Sequence, residues 1–104
     1  MIEKLDISCL NTGGVGDKGK RKAVMSWLED KGCGIILLEE THSALENWNG
    51  IVKFSHGSTN SKGVAILISF QLDIVISDIV KDNNGRFLLL DCTISESRYI
   101  IVNI

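Results

Sequence analysis

The sequence has no hydrophobic run of the roughly 18 or more residues that a transmembrane helix needs. Its first ten residues also lack the charged and then apolar order of a secretory signal peptide. The formal net charge of −2 provides no overall electrostatic attraction to nucleic acid. The sequence therefore predicts no membrane contact, and any contact with nucleic acid must depend on a local cluster of basic residues.

Cysteine is scarce, and the three residues are widely spaced at Cys9, Cys33 and Cys92. None of them belongs to a Cys-x-x-Cys pair, so they offer no zinc-binding motif. An odd number of widely spaced cysteines is typical of reduced thiols in an intracellular protein. We expect two of the three to pack in the core within strands. The expected location is nuclear or cytoplasmic.

The 104 residues are 44% hydrophobic and 23% charged, which is the composition of a globular protein. This length suits one small domain or part of a larger one. Because the sequence stops within the apolar run 99–104, without a polar tail, we expect a truncated domain.

Hydrophobic periodicity predicts a strand, a helix and a second strand in the first forty residues. The first strand has one buried face, formed by Leu5, Ile7 and Cys9. The helix is predicted over 20–31 and has Gly32 as its C-cap. Its predicted buried face contains Val24, Trp27 and Leu28. The run 35–39 is aliphatic up to a glutamate, which predicts a strand buried on both faces.

The remaining sequence is rich in strand patterns. Further strands are predicted at 51–55, 63–70, 72–80, 86–94 and 99–104. The residues 82–85 and 95–97 supply the turns of two hairpins. One βαβ unit followed by antiparallel strands predicts an α+β fold. Because one helix cannot cover a sheet of about seven strands, we also expect an uncovered sheet face that permits self-association.

Two adjacent carboxylates, Glu39 and Glu40, follow the aliphatic residues of the second strand. Open α/β sheets usually bind ligands at the C-terminal ends of their strands. Adjacent acids repel each other, and a bound cation is a functional reason for such a pair, because Mg²⁺ is held by one or two carboxylates. A solvated acidic strand end is the alternative, and the run by itself leaves both interpretations open.

Asn11 ends the first strand as Glu40 ends the second. If these strands are parallel neighbours joined by the helix, both side chains leave the sheet at one edge. An amide and a carboxylate there can place a divalent cation against a phosphate oxygen, and basic residues at the helix start can approach a phosphodiester backbone. These basic residues are Lys18, Lys20, Arg21 and Lys22. Considered alone, Asn11 also suits an Asx turn.

The glycine-rich segment 14–20 suggests a different function. It fits the pattern GxxxxGK between a strand and a helix, as in a phosphate-binding loop. Arg21 follows where that motif requires a Ser or Thr hydroxyl for Mg²⁺. The later antiparallel strands also lack the crossover helices of a parallel sheet. Both departures count against a P-loop, and a P-loop nucleotide-binding fragment is kept as an alternative because of the GxxxxGK match alone.

Four segments in order carry a family resemblance: 7–11, Lys20-Arg21 with Trp27-Leu28, 38–42 and 61–68. Together they resemble the N-terminal half of the endonuclease/exonuclease/phosphatase superfamily, in particular the apurinic-type endonuclease domain of non-long-terminal-repeat retrotransposons. The resemblance implies that residues 1–104 are a truncated part of a four-layered α/β sandwich that hydrolyses DNA phosphodiesters with Mg²⁺. It implies that Glu40 is the metal-ligating catalytic acid and that Asn11 hydrogen-bonds near the metal and the scissile phosphate.

The chain also departs from this family. Glu39 stands where the family usually has Gln, and the later Tyr-containing loop and Ser-Asp-His segment have no counterpart. That His orients or deprotonates the attacking water, and neither His42 nor His56 lies in a matching segment. The resemblance therefore implies an inactive or nearly inactive fragment. A non-catalytic protein-interaction module that binds a partner through exposed sheet is the alternative from another functional class.

Overall fold

The computed structural model describes residues 5–11, 23, 26–39, 50–55 and 63–104. Within these residues the chain forms seven strands and a short helical segment, residues 23 and 26–30. The strands are β1 (Ile7–Asn11), β2 (Ile35–Glu39), β3 (Gly50–Ser55), β4 (Val64–Ser69), β5 (Ile74–Lys81), β6 (Leu88–Ile94) and β7 (Ser97–Asn103). Sheet A contains β1 to β4, and sheet B contains β5 to β7.

Sheet A has the strand order β1-β2-β4-β3 and combines one parallel pair with two antiparallel pairs. The parallel pair is β1 and β2, whose register joins Ile7 to Ile35 and Asn11 to Glu39. Parallel strands need a long crossover connection, and here the helical residues lie within it. The expectation that these two strands are parallel neighbours is therefore confirmed.

Sheet B is an antiparallel sheet in the order β5-β6-β7, built from two hairpins. In the first turn Gly85 has a φ of 71°, which glycine adopts without a steric cost. In the second turn Ser95 (φ 48°) and Glu96 (φ 72°) connect the paired residues Ile94 and Ser97. Positive φ at both central residues is typical of a type I′ turn, whose twist matches that of the strands. Both predicted hairpin turns are confirmed.

The main core lies between the two sheets, which pack face to face. Its buried residues are Ile35, Val64, Ile66 and Ile68 from sheet A and Leu88, Leu90, Cys92, Ile94 and Ile101 from sheet B. The alternation is clearest in β6, where even-numbered residues are buried and odd-numbered residues are partly exposed. Since full burial of one Leu or Ile side chain contributes about 1.5–3 kcal/mol, this interface is the main source of stability.

Sheet A also buries its opposite face. That second cluster contains Leu28, Cys33, Ile36, Leu38, Ala65 and Leu67. Because both faces are covered, the central strands β2 and β4 are continuous aliphatic runs rather than alternating ones. The predicted burial of the second strand on both faces is confirmed by Ile35 on one face and by Ile36 and Leu38 on the other.

The helical segment ends in a Schellman motif. The N–H of Gly32 donates to the carbonyl oxygen of Glu29, and the N–H of Cys33 donates to that of Leu28, each at 3.0 Å. Gly32 has a φ of 75°, the left-handed conformation that this motif requires and that glycine adopts without strain. Leu28 and Cys33 then pack together in the second cluster. The predicted C-cap is confirmed.

Trp27 differs from the prediction that it lies on the buried face of the helix. It is 57% exposed, and the ammonium of Lys31 lies 5.5 Å from the centre of its ring in a cation–π contact. Among the described helical residues, Leu28 is the one that packs against the sheet. Val24, the third residue of the predicted face, lies outside the described residues.

The α+β fold class is the main prediction that proves wrong. The described residues are nearly all β, with six helical residues against seven strands, and they do not form part of a four-layered α/β sandwich. The prediction assumed one sheet of about seven strands, which a single helix could not cover. Instead, two smaller sheets cover each other. Hydrophobic periodicity identifies strands, but it does not determine which strands share a sheet.

The part of the chain that the structure describes contains no helix of the length and hydropathy needed to cross a membrane.

The outer face of sheet B carries an ion pair, in which Arg98 donates to the Asp91 carboxylate from Nε at 3.0 Å and from Nη2 at 2.8 Å. These bonds lower the pKa of Asp91 and raise that of Arg98. Apolar side chains are exposed on the same face, at Val75, Val80, Ile100 and Val102.

Candidate functional site

The candidate site is the edge of sheet A at which β1 and β2 end. Their last residues, Asn11 and Glu39, are register partners in the parallel pair. Glu39 in turn pairs with Val64 on β4, and Val64 pairs with Ser55 on β3. These four positions therefore form one edge, at the C-terminal ends of the parallel strands, where sheets with parallel strands usually bind ligands.

Most of the predicted site residues lie outside the described residues. Asn11 is placed at the end of β1, and the structure describes its backbone alone. Glu40 directly follows β2 in the chain but is itself outside the described part. Outside it also lie Lys18, Lys20, Arg21, Lys22, the glycine-rich segment 14–20, His42 and His56. The register brings together the strand ends that carry Asn11 and Glu40, and the contacts of their side chains stay predictions.

Glu39 is the described carboxylate at this edge, and it is partly buried. The alternation along β2 places it on the face that packs against sheet B, together with Ile35 and Leu37. A carboxylate beside an apolar core is costly unless polar groups or a cation compensate its charge. Glu39 is thus an acid of known position at this edge, and it directly precedes Glu40, the predicted metal ligand, in the chain.

An amide side chain from sheet B contacts the backbone of sheet A beside this edge. Asn103, the last residue of β7, is 6% exposed, and its Nδ2 donates to the carbonyl oxygens of Leu38 at 2.8 Å and Ala65 at 2.9 Å. Leu38 and Ala65 are register partners on β2 and β4, and the next pair along the strands is Glu39 with Val64. Asn103 therefore holds the sheet one residue pair before the strand ends.

A second polar contact joins the two sheets at the same edge. The hydroxyl of Ser55, which is buried at the end of β3, donates to the carbonyl oxygen of Asp82 at 2.6 Å. Asp82 begins the turn between β5 and β6, where its carboxylate accepts from the N–H of Arg86 at 2.9 Å. The apolar core holds the middle of the two sheets together, and Ser55 and Asn103 hold this end.

The sequence reasoning missed both Ser55 and Asn103. A signal for Asn103 was present, because the inward-facing residues near the end of β7 are Ile101 and Asn103, between exposed aliphatic residues. An amide at an inward-facing position indicates a buried hydrogen bond. The sequence does not identify the acceptors, since they are backbone carbonyl groups of distant residues.

The donor atoms that the sequence supplies at this edge suit a hard divalent cation. The side chains of Asn11 and Glu40 carry an amide and a carboxylate oxygen, the kind of ligand that Mg²⁺ takes, and both side chains lie outside the described part of the chain. Among the residues that the structure describes, no group of three or more His, Cys, Asp or Glu side chains could hold a metal ion by itself. The fit of Mg²⁺ thus depends on Glu40 and on the adjacency of the β1 and β2 ends.

The cysteines have no part in this edge. All three are free; Cys9 is exposed, whereas Cys33 and Cys92 are buried. The Cys33 thiol packs just before β2, 3.2 Å from the carbonyl oxygen of Ile35. Burial raises the pKa of the Cys92 thiol, which keeps it protonated and weakly nucleophilic. Two core-packed thiols were predicted, and of these Cys92 lies within a strand while Cys33 does not.

No model of a known protein family matches this chain. Over 109 residues, which cover 96% of the chain, it is 33% identical to the Transposon TX1 uncharacterized 149 kDa protein of Xenopus laevis. The chain spans 8% of the length of that protein. This similarity relates nearly the whole chain to a short part of a transposon protein.

Proposed function

We propose that this chain is the metal-binding part of a Mg²⁺-dependent endonuclease that cleaves DNA phosphodiesters and derives from a transposon. The observation that carries the proposal is the parallel register of β1 and β2, which makes Asn11 the neighbour of Glu39. Glu40 follows Glu39, so the amide and the carboxylate that the family resemblance assigns to the site come from adjacent strand ends.

Each residue has a distinct role in this proposal. Glu40 is the carboxylate that holds Mg²⁺, and the Asn11 amide orients the phosphate beside it. When bound, Mg²⁺ supplies Lewis-acid polarisation of the phosphoryl oxygen and stabilises the charge that develops during hydrolysis. The basic cluster of Lys18, Lys20, Arg21 and Lys22 contacts the phosphodiester backbone, which positions DNA without reading its sequence.

The similarity to a transposon protein supports DNA as the substrate. A transposon is a mobile segment of DNA, so an activity on DNA phosphodiesters suits a protein of such an element. The segments of the chain that resemble the apurinic-type endonuclease domain also lie within the 96% of the chain that this similarity covers. The similarity to the transposon protein and the resemblance to the endonuclease domain both rest on the sequence, so neither depends on the register between β1 and β2.

The metal site can be tested by adding Mn²⁺ to the isotope-labelled chain and following its amide resonances by NMR. The paramagnetic ion broadens resonances near its site, so we expect the strongest effect at Asn11, Glu39 and Val64, which lie at one edge. Glu40→Gln keeps the size of the side chain and removes its charge. It is expected to weaken Mn²⁺ binding by at least about tenfold.

Glu39→Gln is the matched control, because it removes the neighbouring charge and restores the residue that the resembling family usually has. It is expected to change Mn²⁺ affinity much less than Glu40→Gln. Broadening centred instead on Asp78 and Asp91, which are register partners on sheet B, would contradict the proposed site. No Mn²⁺ binding, together with a stable complex formed through sheet B, would favour the interaction module.

DNA binding provides a separate test of the basic cluster. Replacing Lys20 and Arg21 with Ala removes two phosphate contacts, so the chain is expected to bind duplex DNA more weakly at low salt. Each lost contact also reduces the salt dependence, and the slope of log K against log salt concentration is expected to fall in magnitude by about 1.8. Fluorescence anisotropy of a labelled duplex over a range of KCl concentrations measures both effects.

The control for this measurement is the double variant Lys31→Ala and Arg98→Ala, which removes the same number of charges. Lys31 lies before the start of β2, and Arg98 pairs with Thr93 at the end of sheet B farthest from Asn103. We expect its affinity and salt slope to stay close to those of the unaltered chain. Equal losses in both double variants would mean that the charges act through net charge and not through a local DNA contact.

A further inference from the structure

The two outer strands of sheet B have different edges, and the edge of β5 is protected. A β-bulge interrupts β5 between Ile76 and Asp78. The Asp78 carboxylate also accepts a hydrogen bond from the N–H of Ile79 at 2.8 Å. Bulges and charged side chains at an edge are the devices by which proteins prevent another strand from pairing there.

The described residues of β7 have none of these devices. The strand pairs with β6 from Ser97 to Asn103 without a register shift. Its one charged residue is Arg98, and the Arg98 guanidinium is turned back across the sheet to the Asp91 carboxylate on β6. The charge that would protect this edge is therefore held away from it.

The backbone of β7 presents a row of hydrogen-bonding groups at its outer edge. Ile94 and Ser97 close a two-residue turn and exchange hydrogen bonds, so the next residues alternate in direction. This alternation directs the N–H and C=O groups of Arg98, Ile100 and Val102 away from β6. Among the strands that the structure describes, none pairs with β7 on that side.

The inner face of β1 is exposed, although that of its neighbour β2 is buried. Ile7 and Cys9 are register partners of Ile35 and Leu37, so they point to the same side, toward sheet B. Ile35 is fully buried there, whereas Ile7 is 44% exposed and Cys9 is also exposed. Within the described residues sheet A has four strands and sheet B has three, so one strand of sheet A lacks a strand opposite it.

The exposed face of β1 and the open edge of β7 lie on the same side of the molecule. At the strand-end edge, Asn103 of β7 contacts Leu38 on β2 and Ala65 on β4, while Ser55 of β3 contacts Asp82 after β5. The order β1-β2-β4-β3 therefore runs in the same direction as β7-β6-β5, and β1 extends beyond β7. A strand added to β7 would lie about 4.8 Å from it and opposite β1.

We propose that the open edge of β7 is an interaction surface that accepts one extended segment of a partner polypeptide as a fourth strand of sheet B. Every second residue of this segment is apolar, because these residues cover Ile7 and Cys9 and continue the core between the sheets. Hydrogen bonds to the backbone of Arg98, Ile100 and Val102 provide affinity. In this mode of binding the alternate side chains provide specificity.

A second copy of this chain does not suit the same position. Because β1 extends beyond β7, pairing of β7 with the β7 of another copy would place each β1 where sheet A of the other copy already lies. The occupant is therefore a single strand that brings no second sheet to this place.

The experiment uses a short peptide of alternating valine and threonine, KVTVTVTVK, added to the 104-residue chain and followed by NMR hydrogen exchange. Without the peptide, we expect the amide hydrogens of Ile100 and Val102 to exchange fast and that of Ile101 to exchange slowly. With the peptide, we expect exchange at Ile100 and Val102 to slow by at least about tenfold. The peptide KVTVPVTVK is the control and is expected to give no protection, since proline lacks the N–H of a central ladder bond.

Two variants of the chain test the contact with β1. Cys9→Lys places a charge on the face that the bound strand covers, so the Kd for KVTVTVTVK is expected to rise at least about tenfold. Val75→Lys is the matched control, because Val75 is 63% exposed on the outer face of sheet B, on β5. Its Kd is expected to change by less than about twofold. Equal Kd values in the two variants would overturn the inference.

Three other outcomes would also overturn it: no protection at Ile100 and Val102 with millimolar peptide, protection of β5 instead, or a dimer of the peptide-free chain that protects the same amides. If Cys9→Lys does not fold, Val102→Pro replaces it, since this change removes an N–H from the open edge and leaves the bonds to β6 in place. A Kd at least about tenfold higher in Val102→Pro supports the inference, and an unchanged Kd overturns it.

Discussion

Replacing Leu90 with Ala is expected to lower the free energy of unfolding by about 2–5 kcal/mol, while the same change at Leu89 lowers it by much less. Leu90 has an exposed fraction of 0% and packs between the two sheets, in the centre of β6. Truncating its side chain removes apolar contacts and leaves a cavity, because the surrounding strands are held by their hydrogen-bonded ladders. Urea denaturation followed by circular dichroism measures the difference.

Leu89 is the natural control for this change. It is the chain neighbour of Leu90, belongs to the same strand and points to the partly exposed outer face of sheet B, between Val80 and Val102. Its replacement with Ala is expected to lower the free energy of unfolding by under about 1 kcal/mol. Similar losses at both positions would contradict the assignment of one buried and one exposed face to sheet B.

The positions of the strands could be predicted well from the sequence. The run 35–39 predicted β2 at its observed bounds, and the segment 86–94 contains all of β6. Turn chemistry was also informative, since polar residues and glycine mark both hairpins of sheet B. These features are local: a strand pattern and a turn depend on neighbouring residues, and the sequence displays them directly.

The arrangement of the strands in two sheets could not be predicted in the same way. Uniform aliphatic runs in β2 and β4 and alternation in β6 report how many faces are buried. They do not report what covers each face. The prediction placed about seven strands in one sheet with a face left uncovered, whereas in sheet A one face is covered by sheet B. This is the physical reason why the α+β prediction was wrong.

The candidate site was predictable to the extent that it depends on chain topology. A crossover between two strands favours parallel neighbours, and this rule alone placed the ends of β1 and β2 together. The contribution of Asn103 was not predictable, because its acceptors lie 65 and 38 residues away in the chain. Backbone carbonyl groups are the same at every residue, so a contact with one of them leaves no trace in the sequence of the acceptor.

Sheet A is expected to respond to substitution differently from sheet B. Ile66 and Leu67 are neighbours on β4, both have an exposed fraction of 0%, and they point to opposite faces of the sheet. We therefore expect Ile66→Ala and Leu67→Ala each to lower the free energy of unfolding by about 2–5 kcal/mol. The measurement is the same denaturation experiment as for β6, where only one of two neighbours is sensitive.

The result for Leu67 is the more informative of the two. Ile66 packs between the sheets, but Leu67 packs in the second cluster, to which the helical segment contributes Leu28. A large loss at Leu67 requires that this cluster be formed in solution as tightly as the core between the sheets. If Leu67→Ala has an effect as small as that of Leu89→Ala, the outer face of sheet A is not covered. Its aliphatic residues would then need another explanation than burial on both faces.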